Sequence, residues 1–293
     1  MTVQDVYGIV IAYHPDESVI ENLAALKPQV AQIVVVDNGS NEQELALLRA
    51  HAPGNFELIE NGANLGIATA LNVGLRFAAG HEYSLLFDQD STVTPGFVET
   101  MVNSFAGSAY GERLALMVPR YVDKRDGAIL PPFVGEDGTL NGAMTSGTLL
   151  RTALTDRVGW FADEYFIDAV DYEYSLRVRS AGMVILECPE AVLMHAPGTP
   201  TLHKHIFKQG HFQAANYSPV RRYYQERNKI LMLKRHWRNH LKFCLGQIYL
   251  SLKELVKIVV YEPHEGKLKK LRYFARGWMD GLSGRSGPYP AVK

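Results

Sequence analysis

The stretch Ser84-Leu85-Leu86-Phe87-Asp88-Gln89-Asp90 places two carboxylates at the end of a short apolar run. Such a run predicts a buried strand, and in α/β proteins ligands bind beyond the carboxyl ends of these strands. Two carboxylates at that position can hold a divalent cation against a phosphate. Acidic residues also follow strands as turn or helix-cap residues, so the stretch alone is equally consistent with a structural role. It predicts an α/β fold, and the rest of the chain has to decide the chemistry.

The first two hundred residues alternate short apolar runs with helix-like stretches, which predicts a mostly parallel central sheet flanked by helices. The predicted strands are 6–12, 32–37, 55–60, 83–87 and 114–118. The predicted helices are 17–27, 41–50, 67–79 and 95–105, the last with Thr94 as its N-cap and Pro95 at its first position. A hairpin is expected over 120–133, with Asp126-Gly127 at its turn.

Composition limits the class of protein. The chain has 293 residues, of which 47% are hydrophobic, so it can bury a sizeable core. Cys188 and Cys244 are its two cysteines and lack metal-ligand spacing, so we expect neither a disulfide framework nor a zinc site, but a cytoplasmic location. No charged start followed by a long apolar segment is visible, and no run approaches the roughly 18 apolar residues of a membrane span. Secretion and membrane spanning are therefore not expected.

The net charge of -1 hides a division of charge along the chain. Residues 1–218 hold 13 Lys and Arg against 26 Asp and Glu, whereas residues 219–293 hold 17 against 5. The acidic part argues against nucleic-acid binding. The basic part is predicted to form helices over 219–236, 241–261 and 267–282.

The middle basic helix carries an amphipathic stripe. Its apolar residues recur at steps of three and four: Leu241, Leu245, Ile248, Leu252, Leu255 and Val259. Such stripes most often dock on a core. Neighbouring lysines and aromatic residues also suit an anionic membrane surface, and the stripe could instead serve a homodimer.

Polar residues follow other predicted strands as well. Asp37 ends the run Val34-Val35-Val36 and enters the turn Asn38-Gly39-Ser40, where an acid can accept hydrogen bonds from a base or ribose or can simply cap the turn. The segment 61–74 carries three asparagines among small residues, and its Gly66 opens a helix whose amino end favours an anion. Tight helix packing is the alternative explanation, but it accounts poorly for three asparagines.

Further acidic residues lie about eighty positions after Asp90. Asp171, Ser175 and Val178 recur at helical steps, which places Asp171 in the first turn of a helix, next to a cleft. An acid in a cleft opposite a metal site is a natural general base. Displacement of a nucleoside diphosphate from a sugar needs both, because the cation neutralises the departing diphosphate while the base deprotonates the attacking hydroxyl.

The chain carries seven ordered motifs: Tyr13-His14-Pro15, Val36-Asp37-Asn38-Gly39-Ser40, Asn64-Leu65-Gly66 with Ala70 and Asn72, Asp88-Gln89-Asp90, Thr145-Ser146-Gly147, Phe166-Ile167-Asp168 with Asp171 and Arg177, and Tyr217-Ser218-Pro219 with Arg221, Arg222, Tyr223, Tyr224, Arg227 and Asn228. Together they resemble the family 2 glycosyltransferases of GT-A fold, and among them the bacterial L-rhamnosyltransferases of O-antigen and rhamnolipid synthesis. The resemblance covers nearly the whole chain. It implies a GT-A nucleotide-sugar-binding domain over 1–218, with a donor half at about 1–118 and an acceptor half at about 119–218, and a helical extension over 219–293.

The resemblance also implies roles for single residues. Asp37 would contact the nucleobase, Asp88 the ribose or sugar, and Asp90 a Mg²⁺ or Mn²⁺ ion that bridges the two phosphates. His195 would be a second metal or diphosphate contact. Asp171 would be the base, although Asp168 is a nearby second acid, and the choice between them stays open because Val170 stands where many members have Glu. The other expected donor contacts are Tyr13, His14, Asn38, Asn64, Gly66, Ala70 and Gln89.

The implied reaction is a single displacement with inversion, which needs one base. The implied donor is dTDP-β-L-rhamnose, and the acceptor is a glycan or glycolipid, either an O-antigen or capsule glycan or a rhamnolipid precursor. Such acceptors favour a peripheral position on the inner face of the cytoplasmic membrane. A family member that uses another nucleotide sugar is the first alternative.

Other classes of protein share part of the pattern. Asp88-Gln89-Asp90-Ser91-Thr92 also matches the nucleophile motif of haloacid-dehalogenase-type phosphatases, but that motif ends the first strand, whereas three strands precede it here. Sugar nucleotidyltransferases have a glycine-rich N-terminal phosphate loop that this chain lacks. A noncatalytic glycan-binding protein would leave the acidic residues without a task.

Overall fold

The computed structural model describes residues 5–50, 54–195, 200–204, 211–215, 217–261 and 264–289, with the backbone alone at 200–204, 211–215, 264 and 265. The chain forms two compact units. The first consists of residues 1–163 and 170–196, and the second of residues 164–169 and 197–293. The functional division expected at residue 218 stays a prediction.

The first unit is built on one mixed sheet. Its strands are β1 (Val6–Ala12), β2 (Gln32–Asp37), β3 (Phe56–Glu60), β4 (Tyr83–Asp88), β5 (Thr92–Val93), β6 (Leu114–Asp123), β7 (Ile129–Leu130), β8 (Thr148–Arg151) and β9 (Val184–His195). Its helices are α1 (Ser18–Leu26), α2 (Glu42–Ala50), α3 (Ile67–Phe77), α4 (Phe97–Ala106), α5 (Leu154–Val158) and α6 (Val170–Ser180). The strand order is β3-β2-β1-β4-β8-β6-β9-β5, with β7 paired to β6.

Strands β3, β2, β1 and β4 are parallel, as the alternating pattern predicts. Residues 33–36 of β2 have no exposed surface, as expected of a strand covered on both faces. Register pairs Ala12 with Asp37 and Ile11 with Asp88, so the carboxyl ends of β1, β2 and β4 meet at one edge. The α/β class is therefore confirmed, and this edge collects the polar turns.

Beyond β4 the sheet is mixed. Strand β8 is antiparallel to both β4 and β6, while β9 is parallel to β6. The apolar pattern did not predict β8, because a strand of four residues gives too short a signal to separate from a loop. The expected hairpin is confirmed, since β6 and β7 pair around the Asp126-Gly127 turn.

The predicted start of α4 was wrong. The helix begins at Phe97, after Gly96 with φ of 74°, so Thr94 is not its N-cap. The Thr94 hydroxyl instead donates to the Val192 carbonyl of β9 at 3.2 Å. The Thr94 hydroxyl therefore bonds to a strand that is distant in sequence, and not to the helix end that the local pattern predicted.

The second unit is mainly helical. It contains the strands β10 (Pro200–Lys204) and β11 (His211–Ala215), which form an antiparallel hairpin, and the helices α7 (Pro219–Tyr261) and α8 (His264–Ser283). His240 is non-helical at φ of -135°, which divides α7 near the predicted junction of two helices. Among the described residues, no helix combines the length and apolar character needed to cross a membrane.

Candidate active site

Asp37 is the most deeply buried acid at the polar edge of the sheet, with 1% of its surface exposed. Its Oδ2 accepts hydrogen bonds from the backbone amides of Gly39 at 3.0 Å and Ser40 at 3.1 Å. Its Oδ1 is buried and accepts no hydrogen bond from the described part of the chain. Gly39 has φ of 97°, and a Cβ there would lie 2.5 Å from the Ala63 carbonyl carbon, so this turn requires glycine. The turn therefore leaves one buried carboxylate oxygen without a donor among the described residues, which is uncommon in folded proteins.

The asparagines beside Asp37 bond to one another. Asn38 Nδ2 donates to Asn64 Oδ1 at 3.2 Å, and Asn38 Oδ1 accepts from Asn61 Nδ2 at 3.2 Å and from the Leu65 amide at 3.1 Å. Asn64 Oδ1 also accepts from the Gly66 amide at 3.0 Å. These amides fix the loop between β3 and α3, which explains the asparagines that packing alone does not.

The start of α3 contains two more of the predicted residues. Gly66 precedes the helix with φ of 88°, and Ala70 is completely buried inside it. Asn72 has a structural task, because its amide bonds both the nitrogen and the oxygen of the Phe161 backbone at 2.9 and 2.8 Å. The roles of Gly66 and Ala70 toward a donor stay predictions.

Gln89 joins the ends of β1 and β4. It accepts from the Tyr13 amide at 2.8 Å and donates to the Tyr13 carbonyl at 3.1 Å, while Asn22 donates to the Gln89 carbonyl at 2.7 Å. The two-way bond to Tyr13 aligns the polar turns after both strands.

His14 is held by Glu44, which the sequence motifs did not indicate. Its Nδ1 lies 2.9 Å from Glu44 Oε2, and its amide donates to Ser40 Oγ at 3.0 Å. Glu44 and Asn41 exchange backbone-to-side-chain bonds of 2.8 and 3.0 Å, a capping box for α2. The bond from the Asn41 amide, followed by the contact with His14, lowers the pKa of Glu44. The spacing Asn41-x-x-Glu44 was the available signal.

The two candidate metal ligands lie together. Strand β5 pairs with the end of β9, and this brings His195 Nδ1 to 3.8 Å from Asp90 Oδ1. The Asp90 side chain is 50% exposed and that of His195 is 15% exposed. Burial lowers the pKa of His195, while the Asp90 charge acts in the opposite direction. Lys124 donates to the Asp90 carbonyl at 2.7 Å, and burial lowers its pKa.

Asp90 and His195 can supply two ligands of one cation. Neighbouring ligands of an octahedral Mg²⁺ are about 3 Å apart at bond lengths of 2.0–2.1 Å, so the spacing of the pair needs only a small adjustment. Within the described residues, no group of three or more His, Cys, Asp and Glu could hold a metal ion. The pair therefore fits a cation that takes its other ligands from a substrate or water.

Asp171 is the second residue of α6 and faces the carboxyl end of β4. It lines a cavity of about 10 Å³ together with Leu86 and Thr145, room for about one water molecule. The buried Tyr121 phenol lies near both Asp171 and Asp88: burial raises the pKa of Tyr121, and these two carboxylates raise it further. Asp171 thus belongs to the same edge of the sheet as the Asp88-Gln89-Asp90 motif.

Asp168 lies in the second unit, in a turn with an unusual backbone. Phe166, Asp168 and Ala169 all have φ of 63°, a conformation that costs non-glycine residues of order 1–3 kcal/mol each. The side-chain amide of Asn228 in α7 donates to the carbonyls of Tyr165, Ile167 and Asp168 at 2.9, 2.7 and 2.8 Å. Those bonds hold the turn that directly precedes α6.

The Asp168 carboxylate differs from an ordinary surface acid. Its Oδ1 lies 3.4 Å from Arg221 Nη2. Its Oδ2 is buried, and no donor among the described residues has hydrogen-bonding geometry toward it. Burial raises the pKa of Asp168, and Arg221 opposes that shift. The structure thus places the two candidate bases in different surroundings.

Comparisons of sequence agree on one family. Residues 9–134 match the model of Glycosyl transferase family 2. The chain is 28% identical over 311 residues to the dTDP-rhamnosyl transferase RfbF of Shigella flexneri, and the similarity covers 97% of each chain.

Comparisons of structure agree on the fold. The chain is similar to GalNAc-T7 in a crystal structure with UDP, GalNAc and Mn²⁺, with a TM-score of 0.61 at 12% identity, covering 95% of this chain and 56% of that one. It is also similar to residues 1–349 of S. aureus TarS, with a TM-score of 0.57 at 17% identity, covering 97% of this chain and 82% of that one. These likenesses confirm the GT-A-like fold with a C-terminal helical region.

Proposed function

Because the chain belongs to the family 2 glycosyltransferases, we propose that it transfers L-rhamnose from dTDP-β-L-rhamnose to a hydroxyl of a glycan or glycolipid. The observation that carries this proposal is the similarity to a dTDP-rhamnosyl transferase over 97% of both chains. The match to the family 2 model supports a glycosyltransferase, and no observation supports the phosphatase or the noncatalytic glycan-binding interpretation. Use of another nucleotide sugar within the family is the remaining alternative.

The polar edge of the sheet carries the residues that would contact such a donor. The unpartnered Oδ1 of Asp37 would accept a hydrogen bond from the nucleobase, and Asp88 would bind a ribose or sugar hydroxyl. Asp90 and His195 would hold Mg²⁺ or Mn²⁺ against the diphosphate. When bound, the cation would neutralise the charge of the departing diphosphate. We include in this proposal the other donor contacts that the sequence predicts.

The proposed transfer is a single displacement. The acceptor oxygen bonds to the anomeric carbon opposite the diphosphate, the carbon–oxygen bond to the diphosphate breaks, and dTDP leaves, so the β-linked donor gives an α-L-rhamnoside. A carboxylate takes the proton of the acceptor hydroxyl. Asp171 is the base that we propose, since it faces the edge that carries Asp88, and Asp168 is the alternative.

A thermal-shift screen of nucleotides with Mn²⁺ tests the donor. At 100-fold excess over its dissociation constant, a ligand adds about 2.7 kcal/mol to the free energy of unfolding, a shift of about 5 °C or more for a unit of this size. We expect dTDP and dTDP-rhamnose to give this shift and the corresponding UDP compounds to give less. Stabilisation by UDP-sugars alone would favour the alternative donor. No response to any nucleotide would overturn the transferase proposal.

The basic helices suggest where the acceptor is met. Four of the six stripe residues on α7 are exposed, with 48% of Leu241, 54% of Leu245, 47% of Leu252 and 51% of Val259 accessible, while Ile248 and Leu255 are half-buried. The region 219–293 carries 17 Lys and Arg against 5 Asp and Glu, which complements an anionic lipid surface. We therefore include in the proposal that α7 binds the anionic face of a membrane, as a lipid-linked O-antigen, capsule or rhamnolipid acceptor would require.

Replacement of Leu245 and Val259 by glutamine tests this surface. Both side chains are more than half exposed, so the change should leave the fold intact while removing apolar contact with lipid. We expect sedimentation with vesicles that contain anionic lipid to fall about tenfold at low salt. The matched control replaces Ile129 and Val134, equally exposed residues near β7, and should sediment like the wild type. Equal sedimentation of all three proteins, or a dimer that dissociates only in the α7 variant, would contradict the membrane role.

A further inference from the structure

Lys124 is a cation at the polar edge of the sheet to which the proposed transfer gives no role so far. It follows Asp123, the last residue of β6, which lies opposite His195 in the register of β6 and β9. The Lys124 amide donates to the His195 carbonyl at 3.0 Å, and the Lys124 ammonium donates to the Asp90 carbonyl at 2.7 Å. Both ends of the lysine are therefore fixed beside the candidate metal ligands.

The Lys124 ammonium has donors left for a ligand. It has three N–H groups, and within the described residues one acceptor, the Asp90 carbonyl, takes one of them. That bond uses no oxygen of the Asp90 carboxylate, so the lysine and a cation do not compete for the same atoms. The neighbouring Arg125 is engaged instead, because its Nε donates to Asp123 Oδ1 at 2.9 Å and this contact lowers the pKa of Asp123 to about 2.

The charge around Lys124 makes its ammonium valuable to an anion. Four carboxylates lie at this edge or face it: Asp37, Asp88, Asp90 and Asp171. They repel a diphosphate, and a positive group among them offsets that repulsion. Lys124 is exposed as a residue, so a ligand can reach it, yet partial burial lowers the pKa of Lys124, while the Asp90 charge opposes that shift. A charge that is partly shielded from water attracts an anion more strongly than a fully solvated one.

We propose that Lys124 is a catalytic residue that donates a hydrogen bond to the diphosphate of the nucleotide donor and stabilises it as it departs. This inference rests on the nucleotide-sugar donor of the proposed function. When the bond between the anomeric carbon and the diphosphate breaks, its electron pair stays on the diphosphate oxygen. Lys124 donates a hydrogen bond to the diphosphate and keeps its own proton, so the charge that develops there meets a cation already in place.

The binding of dTDP and of thymidine without metal tests this contact, because thymidine has the same base and sugar but no diphosphate. In NMR titrations with EDTA, Lys124→Met should bind dTDP at least about tenfold more weakly than the wild type, as expected for loss of a hydrogen bond between charged groups. Thymidine should bind equally well. Lys124→Arg keeps the charge and should keep most of the dTDP affinity. Lys27→Met is the matched control, because Lys27 is exposed and lies before β2 begins, at the other edge of the sheet.

Mn²⁺ binding without nucleotide, measured by EPR, separates this role from a purely structural one. The Lys124 charge reaches the candidate metal ligands, since it adds to the burial that lowers the pKa of His195, against the effect of Asp90. A nearby positive charge disfavours a free cation. Lys124→Met should therefore bind Mn²⁺ at least as tightly as the wild type, while rhamnosyl transfer falls by about 10²–10³-fold.

Three results would overturn the role of Lys124. Equal losses of dTDP and thymidine affinity, or weaker Mn²⁺ binding, in Lys124→Met would show that the lysine only holds the turn at Asp90. An equal loss of dTDP affinity in Lys27→Met would point to net charge alone, and an unchanged dTDP affinity in folded Lys124→Met would exclude the contact. A wild-type protein that binds no dTDP, with or without Mn²⁺, would instead refute the proposed donor and this inference with it.

Discussion

Replacing Asp90 with alanine is expected to lower rhamnosyl transfer by about a thousandfold or more, since removal of metal assistance forfeits several kcal/mol of transition-state stabilisation. The stabilisation of the protein by dTDP with Mn²⁺ should also disappear. The structure gives the reason: Asp90 supplies one of two candidate ligands, and the described residues provide no third acid or histidine to replace it. Transfer rates and thermal shifts with and without Mn²⁺ measure both effects.

The matched control is Glu112→Ala. Glu112 is exposed and lies just before β6 begins, whereas His195 lies opposite the end of that strand. Glu112→Ala therefore removes one negative charge, as Asp90→Ala does, but at the other edge of the sheet. It should leave transfer and nucleotide binding unchanged. Retention of Mn²⁺-dependent dTDP binding in Asp90→Ala would contradict the role given to this carboxylate.

Asp171→Asn is expected to lower transfer by about 10²–10⁴-fold while leaving donor binding intact, because a general base acts on the acceptor hydroxyl and not on the nucleotide. The substitution removes the basic oxygen but keeps the size of the side chain at the start of α6. Single-turnover rates with dTDP-rhamnose measure the loss, and the thermal shift with dTDP checks that the donor still binds.

Asp168→Asn is the matched comparison, since it makes the same change three residues earlier. Asp168 faces Arg221 in a strained turn, and such a pair gives the carboxylate a structural role. We expect a smaller loss of transfer together with a lower melting temperature. The reverse outcome, with Asp168→Asn inactive but stable and Asp171→Asn active, would make Asp168 the base. Burial raises the pKa of Asp168. If Asp168 were the base, activity would therefore be lost on acidification at a higher pH than with an ordinary carboxylate.

Much of the fold follows from local pattern. The strands β1, β2 and β4 begin where the apolar runs do, and the helices between them follow the spacing of apolar residues. These segments are buried on both faces or along one stripe, so the positions of their apolar residues indicate which faces are buried. Strand β8 was missed because its four residues give too short a signal, and the true start of α4 was missed because the Thr94 hydroxyl bonds to a strand that is distant in the chain.

The candidate site divides in the same way. Asp37, Asp88 and Asp90 follow apolar runs, so their place at the sheet edge could be predicted from sequence. Glu44 beside His14 could have been found from the capping-box spacing. Ser146 beside Ser91 could not, because the two serines are 55 positions apart and nothing in either segment signals the other.

The sequence by itself determined the α/β class, the order along the chain of the strands that carry the acids, and the resemblance to a family. All of these depend on short stretches in which the pattern of apolar residues indicates which residues are buried. Only the tertiary structure decided that His195 faces Asp90, that the buried Ser91 hydroxyl lies beside the histidine, and that Asn228 holds the turn at Asp168. Each of these contacts joins residues at least 55 positions apart, and only the packing of the sheet and helices brings such residues within hydrogen-bonding distance.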